Sequence, residues 1–347
     1  LARRDDHEYY LYYHAPPHKP FNHPKVKSSV LKGWGTFLWD QYRLPMALKR
    51  DRVDLFFSPY YKRPVFLSCP SMITVHDLGP LYVPQYENLS GRFYRGYFRW
   101  LVRLSVKRAS LVLVVSEYSR NCLQQFCHIP ESRIRVVYPD LSKACVEIKD
   151  GGLLEEVKKR FYIQGRYIFY AGNLNPHKNL KTLIAAYAGL GRSLQDEYLL
   201  VITGSKNKYY HGLQRLAAKH RLNGRVIFTG HVTDRELVSL YSAADLFVFP
   251  SLYEGFGFPP LEAMACGTPV VCSDAASIRE VVGDAGILVS PADVDGMSAS
   301  MGKILLDGQM RDDLIRKGFQ RVEQFRSRSA AEEILGLVPS VVARELK

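Results

Sequence analysis

Two glutamates eight positions apart, Glu254 and Glu262, bracket the stretch of this 347-residue chain best equipped for chemistry. Between them run Gly255-Phe256-Gly257-Phe258-Pro259-Pro260-Leu261. Glycines at 255 and 257 let the backbone come close to a ligand and offer it N–H groups. A proline at 259 or 260 suits the first turn of a helix. The positive end of that helix aims at the same place, which suits a phosphate or a sugar hydroxyl. A carboxylate accepts two hydrogen bonds side by side, as a vicinal diol requires. The apolar run Leu246–Ser251 just upstream reads as a strand. The segment therefore falls at a strand's carboxyl end, where open α/β sheets bind ligands. Two solvated glutamates on an ordinary strand–loop–helix connection are the plainer alternative.

What must position these residues is a sheet. Short apolar runs at Tyr167–Gly172, Tyr198–Gly204, Val226–Gly230, Leu246–Ser251, Pro269–Ser273 and Gly286–Val289 alternate with helical patterns. The helical patterns fall at Leu180–Leu190, Leu213–His220, Asp234–Ala243, Pro260–Cys266 and Ile278–Val282. Near-continuous apolar strands spaced by helices predict a parallel sheet covered on both faces. Thr233-Asp234-Arg235-Glu236 is a capping box that starts one of the helices. Helices are predicted at Val294–Leu306, Met310–Phe325 and Ser329–Leu346. The first half is α/β with more loop. Asp54–Phe57, Met72–Val75, Leu111–Val115 and Ile134–Val137 read as strands, Leu101–Arg108 as a helix, and residues 14–27 as a proline-rich loop.

A chain of 347 residues exceeds what one core usually serves, so two domains are expected. Asp150-Gly151-Gly152 reads as their linker, giving domains at 1–150 and 151–328. The segment 329–347 would be a helix packing back on the N-terminal domain. Hydrophobic residues are 47% and charged residues 23%, which excludes a disordered chain, a collagen and a coiled-coil rod. No apolar run approaches the ~18 residues of a membrane span, and no secretory signal is visible. The six cysteines are scattered without a C-x-x-C pair, so neither zinc nor a disulfide framework is indicated, and a reduced, cytoplasmic compartment fits. Leu1–Asp6 followed by Glu8–Tyr13 reads as a helix ending and a strand beginning. A doubly wound domain opens with a strand and a glycine-rich turn, so both are expected to be missing here.

The Glu254-to-Glu262 spacing resembles the E-x7-E signature of glycosyltransferase family 4, the retaining group-1 glycosyltransferases. The resemblance runs over nearly the whole chain. Thr74-Val75-His76-Asp77-Leu78 with Pro84 looks like that family's His-Asp segment, and Val115-Ser116-Glu117-Tyr118-Ser119 like its next strand end. Gly172-Asn173-Leu174-Asn175-Pro176-His177-Lys178-Asn179 looks like its phosphate segment, and Gly230-His231-Val232-Thr233-Asp234 like its base-pocket strand end. The resemblance implies the GT-B fold, two Rossmann-like, doubly wound parallel-sheet domains facing a cleft. It also implies a hexosyltransferase that uses a nucleotide-diphosphate sugar, needs no cofactor and retains anomeric configuration. Glu262 would bind the ribose hydroxyls. Glu254 would contact donor-sugar hydroxyls, helped by backbone N–H groups of Gly255, Phe256 and Gly257, with Leu261 beside them. Lys178 would neutralise the diphosphate, near Gly172 and Asn173. Val232, Gly204 and Ser205 would flank the base. His76 would reach the donor sugar from the opposite domain, although a lone histidine at a strand end is often only a hydrogen-bonded structural residue.

Elementary chemistry agrees about Lys178. Charge develops on the diphosphate as the glycosidic bond breaks, and a positioned ammonium stabilises it. Asp293-Val294-Asp295 looks superficially like a metal-binding acidic pair, but it precedes a helix and Asp293 reads as its N-cap. No metal requirement is expected. One departure is Asn173, where the family often has an arginine. Asparagine brings no charge, so either a nearby cation such as His177 or Lys206 compensates or diphosphate binding is weaker. The motifs look most like bacterial mannosyltransferases of surface-polysaccharide synthesis. GDP-mannose is therefore the expected donor, with UDP-sugars and dTDP-rhamnose as alternatives, and a glycan or lipid-linked glycan the acceptor.

Charge points the same way. Residues 1–150 hold 23 basic and 13 acidic residues, net +10, while 151–347 hold 24 and 21, net +3. Arg92, Arg95, Arg99, Arg103 and Lys107 recur at helical spacing and form one positive stripe interleaved with aromatics. That is a membrane-surface signature, and an anionic inner leaflet or lipid diphosphate would attract it. The alternative is a solvated basic face with the aromatics in the core. Nothing resembles a nucleic-acid-binding motif. Two rivals to the transferase are a glycoside hydrolase using Glu254 and Glu262 and a non-catalytic nucleotide-sugar-binding protein.

Overall fold

The computed structural model describes residues 7–17, 19, 21–32, 35–83 and 89–345. Leu1–Asp6 and Pro84, which figure in the sequence reading, lie outside the described residues. The chain divides into two compact units: unit 1 holds the described residues of Leu1–Leu78, Arg92–Pro139 and Ser329–Lys347, and unit 2 those of Gly79–Gly91 and Asp140–Arg328.

In unit 1, β1 (Tyr9–Tyr13) and β2 (Val26–Val30) form a parallel pair. β3 (Phe56–Ser58), β4 (Ser71–Val75), β5 (Leu111–Val114) and β6 (Ile134–Val136) form a four-stranded parallel sheet in the order 3-4-5-6. Every residue of β4 and β5 is buried, as continuous apolar runs in a covered parallel sheet must be. Among the described residues no strand joins the two sheets, and a cavity of about 480 Å³ is walled by β1 on one side and β3 on the other. Expected as a proline-rich loop, residues 14–27 run into β2 at their end, and the Lys25 carbonyl just before it accepts from the Tyr9 N–H. The helix of the basic stripe is longer than its pattern predicts and spans Leu89–Arg108. The helix Ala330–Glu345 belongs to this unit. Its Val341 is buried with Met72, Leu111, Leu113 and Val137.

In unit 2, β7 (Arg166–Ala171), β8 (Tyr198–Thr203), β9 (Val226–Gly230), β10 (Leu246–Phe249), β11 (Val270–Ser273) and β12 (Ile287–Val289) form one parallel sheet in the order 12-11-10-7-8-9. From β7 the chain winds outward through β8 and β9. It then returns to the other side of β7 and winds the opposite way. The order thus reverses between β7 and β10, a topological switch point, where ligands of open α/β sheets bind.

The linker reading of Asp150-Gly151-Gly152 is corrected. Asp150 N-caps the helix Gly151–Arg160, its Oδ1 accepting from the N–H groups of Gly152 and Leu153 at 2.8 and 3.3 Å. Residues 140–149 already belong to unit 2. Ile148 donates its N–H to Ser242 Oγ at 3.0 Å, and Arg326 donates to the Cys145 carbonyl. Polar connectors in place of an apolar run gave these residues the look of a linker. Asp293 is the N-cap expected of it, accepting from Gly296 N–H at 2.8 Å, and the Thr233–Glu236 capping box is fully formed.

Candidate functional site

The loops after β7, β8, β9 and β10 leave the sheet at one edge. They carry Gly172, Asn173 and Lys178 after β7, Gly204 and Ser205 after β8, Val232 after β9, and Glu254 to Gly257 after β10. The sheet therefore sets the sequence-predicted residues of unit 2 along the carboxyl ends of its strands, with those that follow β7 and β10 at the switch point. Close backbone packing starts at the strand ends. Gly172 N–H donates to the Thr203 carbonyl and Gly204 N–H to the Gly230 carbonyl, both at 3.0 Å. A Cβ on Gly204 would stand 2.0 Å from the Gly172 oxygen, so only glycine fits.

The β7 loop is braced by its own amides. Tyr170 Oη donates to the Asn173 carbonyl at 2.9 Å, Asn173 Oδ1 accepts from Asn175 N–H at 3.1 Å, and Asn207 donates to Asn175 Oδ1 at 3.1 Å. Asn173 is exposed and serves as a turn-former. Asn179 is left-handed (φ +56°) and donates to the carbonyls of Pro250 at 3.1 Å and Pro291 at 2.8 Å, which ties this loop to the ends of β10 and β12. Leu252 N–H adds a bond to the His177 carbonyl at 2.7 Å.

So held, Lys178 is nearly buried, and its Nζ meets Glu254 Oε1 at 2.6 Å. The same Nζ lies 5.3 Å from the centre of the Phe249 ring. An ion pair taken out of water is weak evidence for stability, since desolvation consumes most of the attraction. It is a good reason to look for a ligand. Here an ammonium and a carboxylate stand where the β7 and β10 loops meet, and the Gly255–Gly257 backbone follows directly. Ser277 Oγ holds that loop, its single proton shared between the carbonyls of Glu254 (3.0 Å) and Phe256 (2.7 Å). Gly257 (φ +113°) then turns the chain into the helix Phe258–Ala265, with proline in its first turn as the sequence indicated.

Glu262 projects from that helix. Its Oε2 accepts from Tyr241 Oη at 3.0 Å. Burial lifts the Glu262 carboxyl above the usual range. The Tyr241 hydrogen bond opposes that rise, and the Asp234 charge adds to it. Tyr241 was not found from sequence, because a tyrosine on the buried face of an amphipathic helix reads as core. Ser277 and Asn207 gave no signal either.

Two of the expected donor residues have buried side chains, which leaves only their backbone for a ligand. The Phe256 side chain points inward, edge-on to Phe258 and Phe325 at 5.1 and 5.6 Å. Leu261 has no exposed surface at all. Both serve packing, and only their backbone belongs to the loop and helix that form the site. Val232 is also buried.

His76 belongs to unit 1, at the carboxyl end of β4. It is exposed, with Nε2 2.8 Å from the Pro59 carbonyl. A ring N–H donated to that carbonyl makes Nδ1 the acceptor nitrogen. Of the basic stripe, Arg92, Arg99 and Arg103 are exposed and Arg95 half-buried. Arg103 stacks on the Phe126 ring at 4.6 Å and donates to the Phe126 carbonyl, and Arg99 lies over the same ring at 5.5 Å. The stripe is thus partly a structural contact. The reading that puts its aromatics in the core fails for Phe93, Tyr97 and Trp100, which are exposed. Among the described residues no helix is long and apolar enough to cross a membrane.

Comparison with known proteins gives this geometry its setting. Residues 155–321 match the family described as Glycosyl transferases group 1, and residues 1–139 match Glycosyltransferase Family 4. The chain is 32% identical over 283 residues to O-antigen chain mannosyltransferase B of Escherichia coli, covering 82% of this chain and 73% of that protein. It is 32% identical over 232 residues to O-antigen chain mannosyltransferase RfbU of Salmonella typhimurium, covering 67% and 60%. Among solved structures, sucrose-phosphate synthase (tll1590) from Thermosynechococcus elongatus superposes with a TM-score of 0.75 at 20% identity, over 96% of this chain and 89% of that one. Such a likeness fixes the fold, the α/β arrangement of two parallel-sheet units called GT-B. With matches along both of its halves, the chain belongs to the group-1, family 4 glycosyltransferases.

Proposed function

We propose that this glycosyltransferase moves a mannosyl group from GDP-mannose to a hydroxyl of a lipid-linked glycan, with retention and without a metal ion. The observation that carries the reading is the Lys178–Glu254 pair at the switch point, with the Glu262 carboxylate on the helix that follows. A diphosphate fits the ammonium, and a ribose diol fits a carboxylate held in place by Tyr241. When the donor binds, Lys178 exchanges its carboxylate for the phosphate oxygens. Glu254 is then released toward the sugar hydroxyls, and the glycine backbone supplies N–H donors. Lys178 stabilises the charge that grows on the leaving diphosphate. In this reading no side chain forms a covalent intermediate. The leaving phosphate therefore takes the acceptor proton while the new bond forms on the face it vacates. Mannose is favoured because the relatives named above are mannosyltransferases of O-antigen chains. The same names favour a glycan acceptor, and the net +10 of residues 1–150 favours one carried on an anionic membrane at its cytoplasmic face.

A panel of nucleotide sugars followed by thermal shift tests the donor, because a ligand bound only by the folded state raises its melting temperature. GDP-mannose is expected to give the largest shift and to support transfer that EDTA leaves unchanged. Transfer of glucose from UDP-glucose with none from GDP-mannose overturns the donor assignment. A rate lost to EDTA and restored by Mg²⁺ overturns the metal-free assignment.

A further inference from the structure

The helix Leu89–Arg108 presents three faces. Phe98, Leu101, Val102 and Val106 are buried in unit 1. The arginine stripe lies to one side. On the other side Phe93, Tyr97 and Trp100 repeat at i, i+4 and i+7 and are 74%, 50% and 56% exposed. Two more rings extend this face from elsewhere in the unit, Phe37 at 68% and Phe66 at 82% exposed. They meet around a cavity of about 330 Å³, walled by Phe37, Phe66, Tyr97, Trp100, Leu101 and Leu104. Lys62 and Arg63 stand at its wall, as does Asp40, whose carboxyl burial pushes above the usual range.

Contiguous exposed rings of this kind mark an interaction surface. Three of the five are phenylalanines, which have no group to hydrogen-bond a glycan hydroxyl. Cations flank them in a row. Charge complementarity and apolar depth together fit an anionic lipid bilayer. We propose that this face inserts into such a bilayer. Phe37, Phe66, Phe93 and Trp100 pass below the headgroups, the cavity takes one acyl chain, and the arginine stripe rests on the phosphates. The inference deepens the membrane part of the function proposed above and rests on it. It replaces a purely electrostatic contact with an insertion.

The test uses the full chain without any sugar nucleotide. Vesicles of phosphatidylcholine with phosphatidylglycerol are sedimented at low and high salt. Wild type should retain binding at high salt, and Trp100 emission should shift to the blue and be quenched by brominated lipid, a signal absent from Trp100→Phe. Phe37→Ser with Phe66→Ser should weaken binding about tenfold at both salt levels. Arg92→Gln with Arg99→Gln should weaken it at low salt only. Thermal melts of both variants check folding. Binding that vanishes at high salt, Trp100 emission that vesicles leave unmoved, or a Phe37/Phe66 variant that binds like wild type overturns insertion. Insertion without mannosyl transfer leaves this proposal standing and removes the other. Transfer without insertion does the reverse.

Discussion

Lys178 and Glu254 are 11% and 15% exposed at their side chains, so each depends on the other for most of its lost hydration. Lys178→Ala leaves a carboxylate without its cation and is expected to cost about 3–5 kcal/mol of stability. Lys178→Met with Glu254→Gln should cost less than the single change, and a urea double-mutant cycle checks that order. In turnover, Lys178→Ala should lower kcat, because its charge is used most as the phosphate leaves. A raised KM with kcat intact would show uniform binding instead. Glu262 behaves in the opposite sense. Burial keeps its carboxyl protonated to higher pH in the folded chain than in the unfolded one. Its contribution to folding is therefore full below the unfolded pKa and lost as pH rises through the folded one. Glu262→Gln cannot ionise, so it should melt above wild type at neutral pH and lose that advantage in acid. Donor binding needs the ionised form. Calorimetric affinity should be abolished by Glu262→Ala, and in wild type it should fall as pH drops into the same raised range. An affinity unchanged by Glu262→Ala would remove this residue from the site.

At the scale of elements, the strand ends decide whether the site exists. Gly204→Ala places a Cβ against a backbone carbonyl that cannot move without shifting β7. It should lower stability, whereas Gly212→Ala, inside the helix Tyr210–Lys219 with nothing within 4 Å of its Cβ, should leave stability unchanged or raise it slightly, and denaturant midpoints measure the difference. The sheet of unit 2 was legible because its four central strands, β11, β10, β7 and β8, are buried along almost all of their length, so Tyr198–Thr203 shows as a nearly continuous apolar run. The capping boundaries at Thr233 and Asp293 were legible because one side chain at one position makes the bond. Glu254, Glu262 and Lys178 were legible because glycine, proline and charge coincide at strand ends. The helix Gly151–Arg160 was hidden by two glycines in its first turn, where propensity argues against helix and the Asp150 cap overrides it. The strand Val26–Val30 alternates weakly and follows prolines. The sites of Tyr241 and Ser277 depend on partners 21 to 23 positions away, which spacing along one element does not encode.

For the whole molecule, the two units make separable predictions. Val341→Asp sets a charge among Met72, Leu111, Leu113 and Val137. It should destabilise unit 1 strongly, by about 3 kcal/mol or more. The donor residues of unit 2 take no part in that core. Donor affinity at low temperature should therefore survive the change, and calorimetry should show one transition moved more than the other. A loss of donor affinity equal to that of Glu262→Ala would contradict the assignment of the donor site to unit 2.

Unit 1 also takes its last helix, Ala330–Glu345, from beyond the whole of unit 2. On the ribosome that helix emerges some 190 residues after Pro139, a delay of roughly 10–40 s at ordinary elongation speeds. For that time the surface of β4 and β5 that Val341 will cover is bare, while unit 2 has nearly all its residues in hand. The unit made first is thus completed last, and the nascent chain carries an apolar patch that chaperones can hold.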